Sequence, residues 1–190
     1  MRRIVYTRHS DGGISVCTPT SWAIDVMSCG GFWADKPRGY GEVQIERQIA
    51  RGIKPDAAHR YVKAMLVGGL STAEAYAVIR DRDCVHLGHS FELLDYSELP
   101  VRWFRDAWRP NHNGGPPRVD LDLARPIQWR RLRDAASIEN KRRAEAFEEE
   151  RPLSIDWPQI RSAIKRASNV EALSRVWPEE MPTLAAGGFR

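Results

Sequence analysis

The sequence has few cysteines and no long hydrophobic run. Its three cysteines, Cys17, Cys29 and Cys84, stand beside apolar residues, and their odd number predicts reduced, partly buried thiols rather than a disulfide framework. No stretch of about 18 apolar residues occurs, and the N-terminal MRRIVYTRHSDGG lacks the apolar core of a signal peptide. We therefore expect a protein that has no membrane partner and stays in the cytoplasm where it is made.

A strong excess of one charge is also missing. The 190 residues include 29 Lys and Arg against 25 Asp and Glu, a net charge of +4, so an anionic partner is allowed but not required. Hydrophobic residues make up 42% and charged residues 28%, which is typical of a folded chain rather than a disordered one. The length suits one domain, or one domain with a helical appendage.

Motifs for nucleotide binding and covalent catalysis are absent, since no GxSxG, P-loop or Rossmann fingerprint occurs. Cys84, His86 and His89 lie close together, as in a metal site, but a structural zinc site needs four ligands and no paired CxxC is present. We therefore predict a buried cysteine and two loop histidines, with no metal and no cofactor. An enzyme built around Asp81, Asp83, His86 or His112 is the least favoured alternative.

The first half of the chain predicts a small sheet. Residues 3–8 and 14–17 alternate between apolar and polar, and Asp11-Gly12-Gly13 between them can form a tight turn, so this segment predicts a β-hairpin. A lone hairpin is only marginally stable, and SFELLDY, residues 90–96, is the best candidate for a third strand.

Four short helices are predicted between the hairpin and the third strand. Ser71 and Glu74 have the spacing of a capping box, and Met65 and Leu66 belong to one apolar stripe of the preceding helix. The four helical segments are SWAIDVMSC, EVQIERQIAR, PDAAHRYVKAMLV and STAEAYAVIRDRD.

The segment LPVRWFRDAW, which begins at Leu99, predicts one more helix. Phe104 and Trp108 are four residues apart, so we expect both to lie on one helical face and to dock this helix onto the hairpin. The element order up to Trp108 is then β-β-α-α-α-α-β-α, a compact α+β unit.

After Asp120 the pattern is almost entirely helical. A long helix is predicted through KRRAEAFEEE, a second from about Pro158, and a last one capped by Asn169. The predicted fold is therefore α+β, with a small antiparallel sheet packed with short helices and a mostly α-helical C-terminal part. Its predicted divisions are a head (1–110), a linker (111–119), a helical region (120–180) and a loose tail (181–190).

Two groups of residues are candidates for binding. Phe32, Trp33 and Tyr40 lie in the glycine-rich GGFWADKPRGYG and predict either an exposed recognition surface or a lid packed on the core, of which the lid is more usual.

The second group lies on the long basic helix. Arg130, Arg131 and Arg133 surround Trp129, an arrangement suited to phosphate contacts and base stacking. A solvated helix face of mixed charge is the more usual explanation of such a pattern.

Four segments together resemble an uncharacterised family encoded by tailed bacteriophages and prophages. They are IVYTRHSDGGISV, FELLDYSELPVRWFRDAW, VDLDLARPIQWRRLRDA and NVEALSRVWPEE. Family members look like a short α/β head with a DxxxLPxDRxFRxAW element, followed by a helix of the VDMxKAxxIHxxxIRxAR type and a terminal xxxELxxxWP helix. The matching residues include Phe104, Arg105, Trp108, Asp120 and Trp177. The resemblance implies a phage context and no particular reaction.

These observations lead us to expect a non-enzymatic phage or prophage protein. It would be a virion component near the tail or neck, or an accessory protein that contacts other phage or host proteins, located in the host cytoplasm or in the virion. The alternative is a protein that binds DNA or RNA through the basic helix, residues 125–143. The apolar stripes of its helices also allow a homo-oligomer.

Overall fold

The computed structural model describes residues 2–145 and 152–182, and its fold is α+β, as the sequence predicts. Short 3₁₀ helices span Tyr96–Glu98 and Arg102–Ala107. The strands and α-helices in chain order are β1 (Arg2–Arg8), β2 (Ile14–Cys17), α1 (Ser21–Cys29), α2 (Tyr40–Ala50), α3 (Pro55–Val67), α4 (Thr72–Asp83), β3 (Gly88–Asp95), β4 (Trp108–Arg109), β5 (Arg118–Val119), α5 (Leu121–Glu145), α6 (Trp157–Arg166) and α7 (Val170–Ser174).

The chain divides into two compact units. The first runs to Leu99 and includes Asn113–Gly115, and the second comprises Pro100–His112 and the chain from Pro116 onward. The sequence prediction placed residues 100–110 in the head, whereas the structure places them in the second unit.

The first unit contains the predicted three-stranded sheet. β1 is central and pairs antiparallel with β2 on one side and β3 on the other, which confirms the hairpin and the third strand. At the hairpin turn the Arg8 backbone N–H donates to the Gly13 carbonyl at 2.8 Å, and the Gly13 N–H donates to Oδ1 of Asp11 at 3.0 Å. Ser90, with a φ of +52°, lies where the register between β1 and β3 shifts.

Helices α1, α3 and α4 pack on one another and bury the core of this unit. Met27 and Met65 are almost fully buried in this core together with Ile79. The predicted capping box is confirmed, because the Glu74 N–H donates to Oγ of Ser71 at 3.3 Å and the Ser71 N–H donates to Oε2 of Glu74 at 2.8 Å.

The ends of α1 and α3 meet through two glycines. Gly30 has a φ of +75° and Gly68 a φ of +73°, both in the left-handed region that side chains disfavour. A Cβ on Gly30 would lie 2.4 Å from the Val67 carbonyl carbon, and a Cβ on Gly68 would lie 2.3 Å from the Gly30 nitrogen. No other residue type fits at either position without moving the backbone.

The expected helix at Leu99–Trp108 is wrong. Its residues form a 3₁₀ helix, Arg102–Ala107, and Trp108 already belongs to β4. The segment is kinked at Phe104, whose φ of −105° and ψ of 29° are not helical. Phe104 and Ala107 are both fully buried in the core of the second unit, and the expected docking of Phe104 onto the hairpin is therefore wrong.

The predicted linker, residues 111–119, is the loop and second strand of a short hairpin. β4 and β5 pair antiparallel, with Trp108 opposite Val119. The Asp120 carboxylate then caps α5, since its Oδ1 accepts the N–H groups of Asp122 at 3.0 Å and Leu123 at 3.2 Å. Arg105, another residue that matches the family pattern, has an exposed side chain.

The second unit is built on α5. Gln128 is fully buried, and its Oε1 accepts the Trp103 indole N–H at 2.6 Å while its Nε2 donates to the Val176 carbonyl at 2.9 Å. Asn169 caps α7 as predicted, its Oδ1 accepting the Ala172 N–H at 2.8 Å.

The chain beyond α7 continues the same core. Trp177 packs against it partly buried, and Met181 is 4% exposed within it. The core therefore includes Met181, the first residue of the segment that the sequence predicted to be a loose tail. The rest of that tail, residues 183–190, lies outside the described residues, as do residues 146–150 at the end of the predicted long helix.

Replacement of Phe104 by alanine would remove the largest fully buried side chain. We expect Phe104→Ala to lower the free energy of unfolding by about 3–5 kcal/mol, the usual cost of a large cavity. Urea denaturation followed by circular dichroism measures it, with Ile138→Ala as the control, because Ile138 is 71% exposed. A loss below about 1 kcal/mol for Phe104→Ala would contradict the assigned packing.

Candidate functional site

Four aromatic side chains of the first unit form a continuous row, which we call the aromatic patch. Trp22 lies edge-on to Phe32 with ring centroids 4.8 Å apart, Phe32 is 5.3 Å from Trp33, and Trp33 is 5.7 Å from Tyr40. Trp22 is 51% exposed and Phe32 40% exposed, whereas Trp33 packs partly against the core. The structure therefore brings the predicted Phe32, Trp33 and Tyr40 together and adds the exposed Trp22.

The loop that carries the patch is held by backbone hydrogen bonds to α3. The Gly31 N–H donates to the Leu66 carbonyl at 2.9 Å, and the Phe32 N–H donates to the Met65 carbonyl at 3.1 Å. These bonds continue from the glycine contact between α1 and α3 and fix Phe32 beside the end of α3.

Exposed aliphatic residues extend the patch. Val67 is 68% exposed and Leu66 37% exposed at the end of α3, although the sequence placed Leu66 in a buried stripe. Contiguous exposed apolar groups of this kind mark interaction sites more often than scattered single residues do.

Sequence reasoning missed Trp22 as part of this surface. The buried residues of α1 are Ile24 and Met27, and Trp22 precedes them at a spacing that lies off their helical face. The spacing could have indicated that Trp22 is exposed, but it does not show which other aromatic side chains lie nearby.

The predicted nucleic-acid surface is on α5 in the second unit. The Arg131 guanidinium lies over the Trp103 ring, 4.4 Å from its centroid. Arg130 is exposed. Arg131 is therefore held by a cation–π contact within the protein, a geometry that stabilises the unit itself.

Trp129, predicted to stack on bases, is also engaged within the second unit. Its ring meets Trp157 edge-on, with centroids 5.4 Å apart and an interplanar angle of 80°. Arg133 lies 5.1 Å from the Trp157 centroid and 5.8 Å from that of Trp129. The aromatic faces near this basic helix thus carry the protein's own arginines.

Glu139 holds two further arginines of α5. Its carboxylate accepts hydrogen bonds from Arg142 at 2.8 and 2.9 Å and from Arg143 at 3.0 Å. Hydrogen bonds from Arg142 and then from Arg143 lower the pKa of Glu139 from 4.5 to about 2.

The lowered pKa of Glu139 predicts a pH-dependent contribution to stability. The unfolded chain takes up this proton first as pH falls, so the contribution is complete above about pH 4.5 and is lost towards pH 2. We expect Glu139→Gln to be less stable than the unsubstituted chain at pH 7, with the difference shrinking between pH 4.5 and 2 in urea denaturation.

Glu145→Gln is the matched control on the same helix. Its ion pair with Lys141, at 3.8 Å, joins two side chains that are 68% and 77% exposed, so its removal should change stability little. A constant difference between Glu139→Gln and the unsubstituted chain across this pH range would argue against the Glu139 interaction.

The three residues considered for a metal do not converge. Cys84 is buried, its thiol donating a hydrogen bond to the sulfur of Cys17, while His86 is exposed and His89 stacks on His9 with centroids 5.3 Å apart. Within residues 2–145 and 152–182, no group of three or more His, Cys, Asp or Glu side chains could hold a metal ion.

The two neighbouring thiols differ in acidity. The hydrogen bond from Cys84 lowers the pKa of Cys17, whereas the same bond, followed by burial, raises the pKa of Cys84. We expect iodoacetamide at pH 8 to label Cys29 and Cys17 in the folded protein and Cys84 only after unfolding, because Cys84 is buried and its raised pKa keeps it out of the reactive thiolate form. Peptide mass spectrometry with and without guanidinium measures this difference, and equal labelling of Cys84 and Cys29 in the folded protein would refute it.

No protein-family model, curated protein or solved structure matches the chain. In the part of the chain that the structure describes, no helix is both long enough and apolar enough to cross a membrane.

Proposed function

We propose that this chain is a non-enzymatic phage or prophage protein that acts by binding other proteins, and that it binds them through the aromatic patch. The phage context is supported by the resemblance in sequence. The role is that of a virion component near the tail or neck, or of an accessory protein that acts in the host cytoplasm.

The observation that carries the proposal is the exposure of Trp22 and Phe32 on a rigid support. Large aromatic side chains lose little conformational entropy on binding and dominate the energetics of protein interfaces. Val67, at 68% exposed, extends the apolar surface beside them. A surface of this composition favours contact with a protein partner.

The contacts on α5 give less support to the alternative of nucleic-acid binding. Base stacking needs free aromatic faces, and Arg131 and Arg133 lie over the rings of Trp103 and Trp157. Nucleic-acid binding through α5 stays a prediction, and the protein-binding proposal does not depend on it.

Affinity purification of the tagged chain from a lysate of the host bacterium tests the proposal. We expect the tagged chain to recover a specific protein in near-equimolar amount, and we expect Trp22→Ser combined with Phe32→Ser to reduce recovery about tenfold, because both aromatic contacts are removed. Quantitative mass spectrometry measures the amount of partner recovered. The melting temperature of the doubly substituted chain shows whether it remains folded.

Ile138→Ser is the control, because Ile138 is 71% exposed but belongs to the second unit. Its recovery of the partner should equal that of the unsubstituted chain. Equal recovery by the Trp22 and Phe32 variant would exclude the patch as the docking surface, and the absence of any specific partner would contradict the protein-binding function. Mass spectrometry of purified particles separates the two roles, since only a virion component is present in them.

A further inference from the structure

A groove of about 550 Å³ lies between α2, α3 and the loop that precedes α2. Val62 and Leu66 of α3 and Ile45 of α2 give it an apolar lining. Gly41 is buried there, and a Cβ on it would lie 3.0 Å from Cδ1 of Leu66 and 3.4 Å from Cγ1 of Val62. The glycine thus lets the two helices approach closely, and the groove has the volume of a typical ligand site.

The groove is continuous with the aromatic patch. Trp33 and Tyr40 belong to both, and Val67, the most exposed aliphatic residue of α3, also lines the groove. An occupant of the groove would therefore contact the same surface to which we assign protein binding.

Charged side chains also line the groove. Four Lys and Arg side chains and one Glu belong to its lining, together with His59, so basic residues outnumber acidic ones. The charged side chains are Lys36, Arg38, Arg60, Lys63 and Glu42.

Arg38 and Lys63 are the basic side chains that remain available to a partner. Lys36 and Arg60 are each paired with an aspartate. Arg38 and Lys63 are exposed and form no ion pair with any described residue. These two cations outnumber Glu42, the one acidic side chain of the lining, and are complementary to carboxylates that flank an apolar side chain.

The geometry of the rings favours a peptide over a nucleic acid. The Trp33 and Tyr40 rings meet at 66°, so they do not form the parallel platform on which successive bases stack. The apolar lining also does not suit a free hydrated anion, which gains nothing from apolar contact.

We infer that the groove binds a short acidic segment of a partner protein, with an aromatic or aliphatic side chain inserted between the helices and carboxylates on Arg38 and Lys63. This inference rests on the proposed protein-binding function and adds the chemistry of the partner. Such recognition combines an apolar anchor with cationic contacts to an acidic motif.

Selection from a library of random 12-residue peptides displayed on filamentous phage tests the inference with the whole chain as bait. We expect the selected peptides to be enriched in Asp and Glu on both sides of a Phe, Trp or Leu. The consensus peptide is then synthesised with a fluorescent label, and its dissociation constant is measured by anisotropy.

Charge reversal at the groove provides the decisive comparison. Arg38→Glu combined with Lys63→Glu should weaken binding of the consensus peptide about tenfold or more, since two attractions become repulsions. Arg47→Glu, an exposed arginine of α2 that does not line the groove, should change it less than about twofold. Replacement of the anchor side chain of the peptide by glycine should also weaken binding.

The inference is overturned if no peptide is selected, if the selected peptides are not acidic, or if the doubly reversed variant binds them equally well. Binding of a labelled oligothymidylate that is lost in the same variant would instead identify a nucleic-acid site. The proposed function is tested separately, because partner capture that depends on Trp22 and Phe32 but not on Arg38 and Lys63 would retain that function and refute the acidic occupant.

Discussion

The contact between Gly30 and Gly68 determines the exposed surface of the first unit. Two backbones approach there more closely than any side chain allows, and the hydrogen bonds that follow connect the loop after α1 to the last turn of α3. Phe32 consequently lies beside Leu66 at a fixed position rather than folding back onto the core. The position of the exposed apolar surface therefore depends on backbone geometry as well as on the contacts among its rings.

The second unit uses its aromatic residues in a different way. Trp103 donates its indole N–H to the buried Gln128 and presents its ring to Arg131, so one side chain satisfies a buried amide and holds a cation. The full burial of Gln128 requires this hydrogen bond, because an unpaired amide inside the core would be costly. Arginines on α5 are thus part of the packing of the unit, in contrast to Arg38 on the first unit.

The parts of the fold that local chemistry determines could be predicted from the sequence. The capping box at Ser71 is an example, because its two partners are three residues apart and satisfy each other. The position of Phe104 could not be predicted, since spacings of three and four both suit a short helix and the packing partner is remote in sequence. For the same reason the composition of the basic helix did not show that Arg131 lies over Trp103, nor that Trp22 joins the patch.

Net charge alone does not distinguish the two basic surfaces of this chain. On α5, Arg142 and Arg143 both hydrogen-bond to the Glu139 carboxylate, whose pKa they lower to about 2, so one of their two positive charges is offset within the protein. Arg38 and Lys63 form no ion pair with a described carboxylate, and the one acidic side chain that lines their groove is Glu42. A cation that stays solvated beside an apolar groove adds little to the free energy of folding. It does favour apolar partners that also carry acidic residues over those that do not, and it speeds their association. Affinity and selectivity for a partner therefore come from different parts of the groove. The apolar lining supplies affinity, and the cations that form no ion pair supply selectivity for acidic partners.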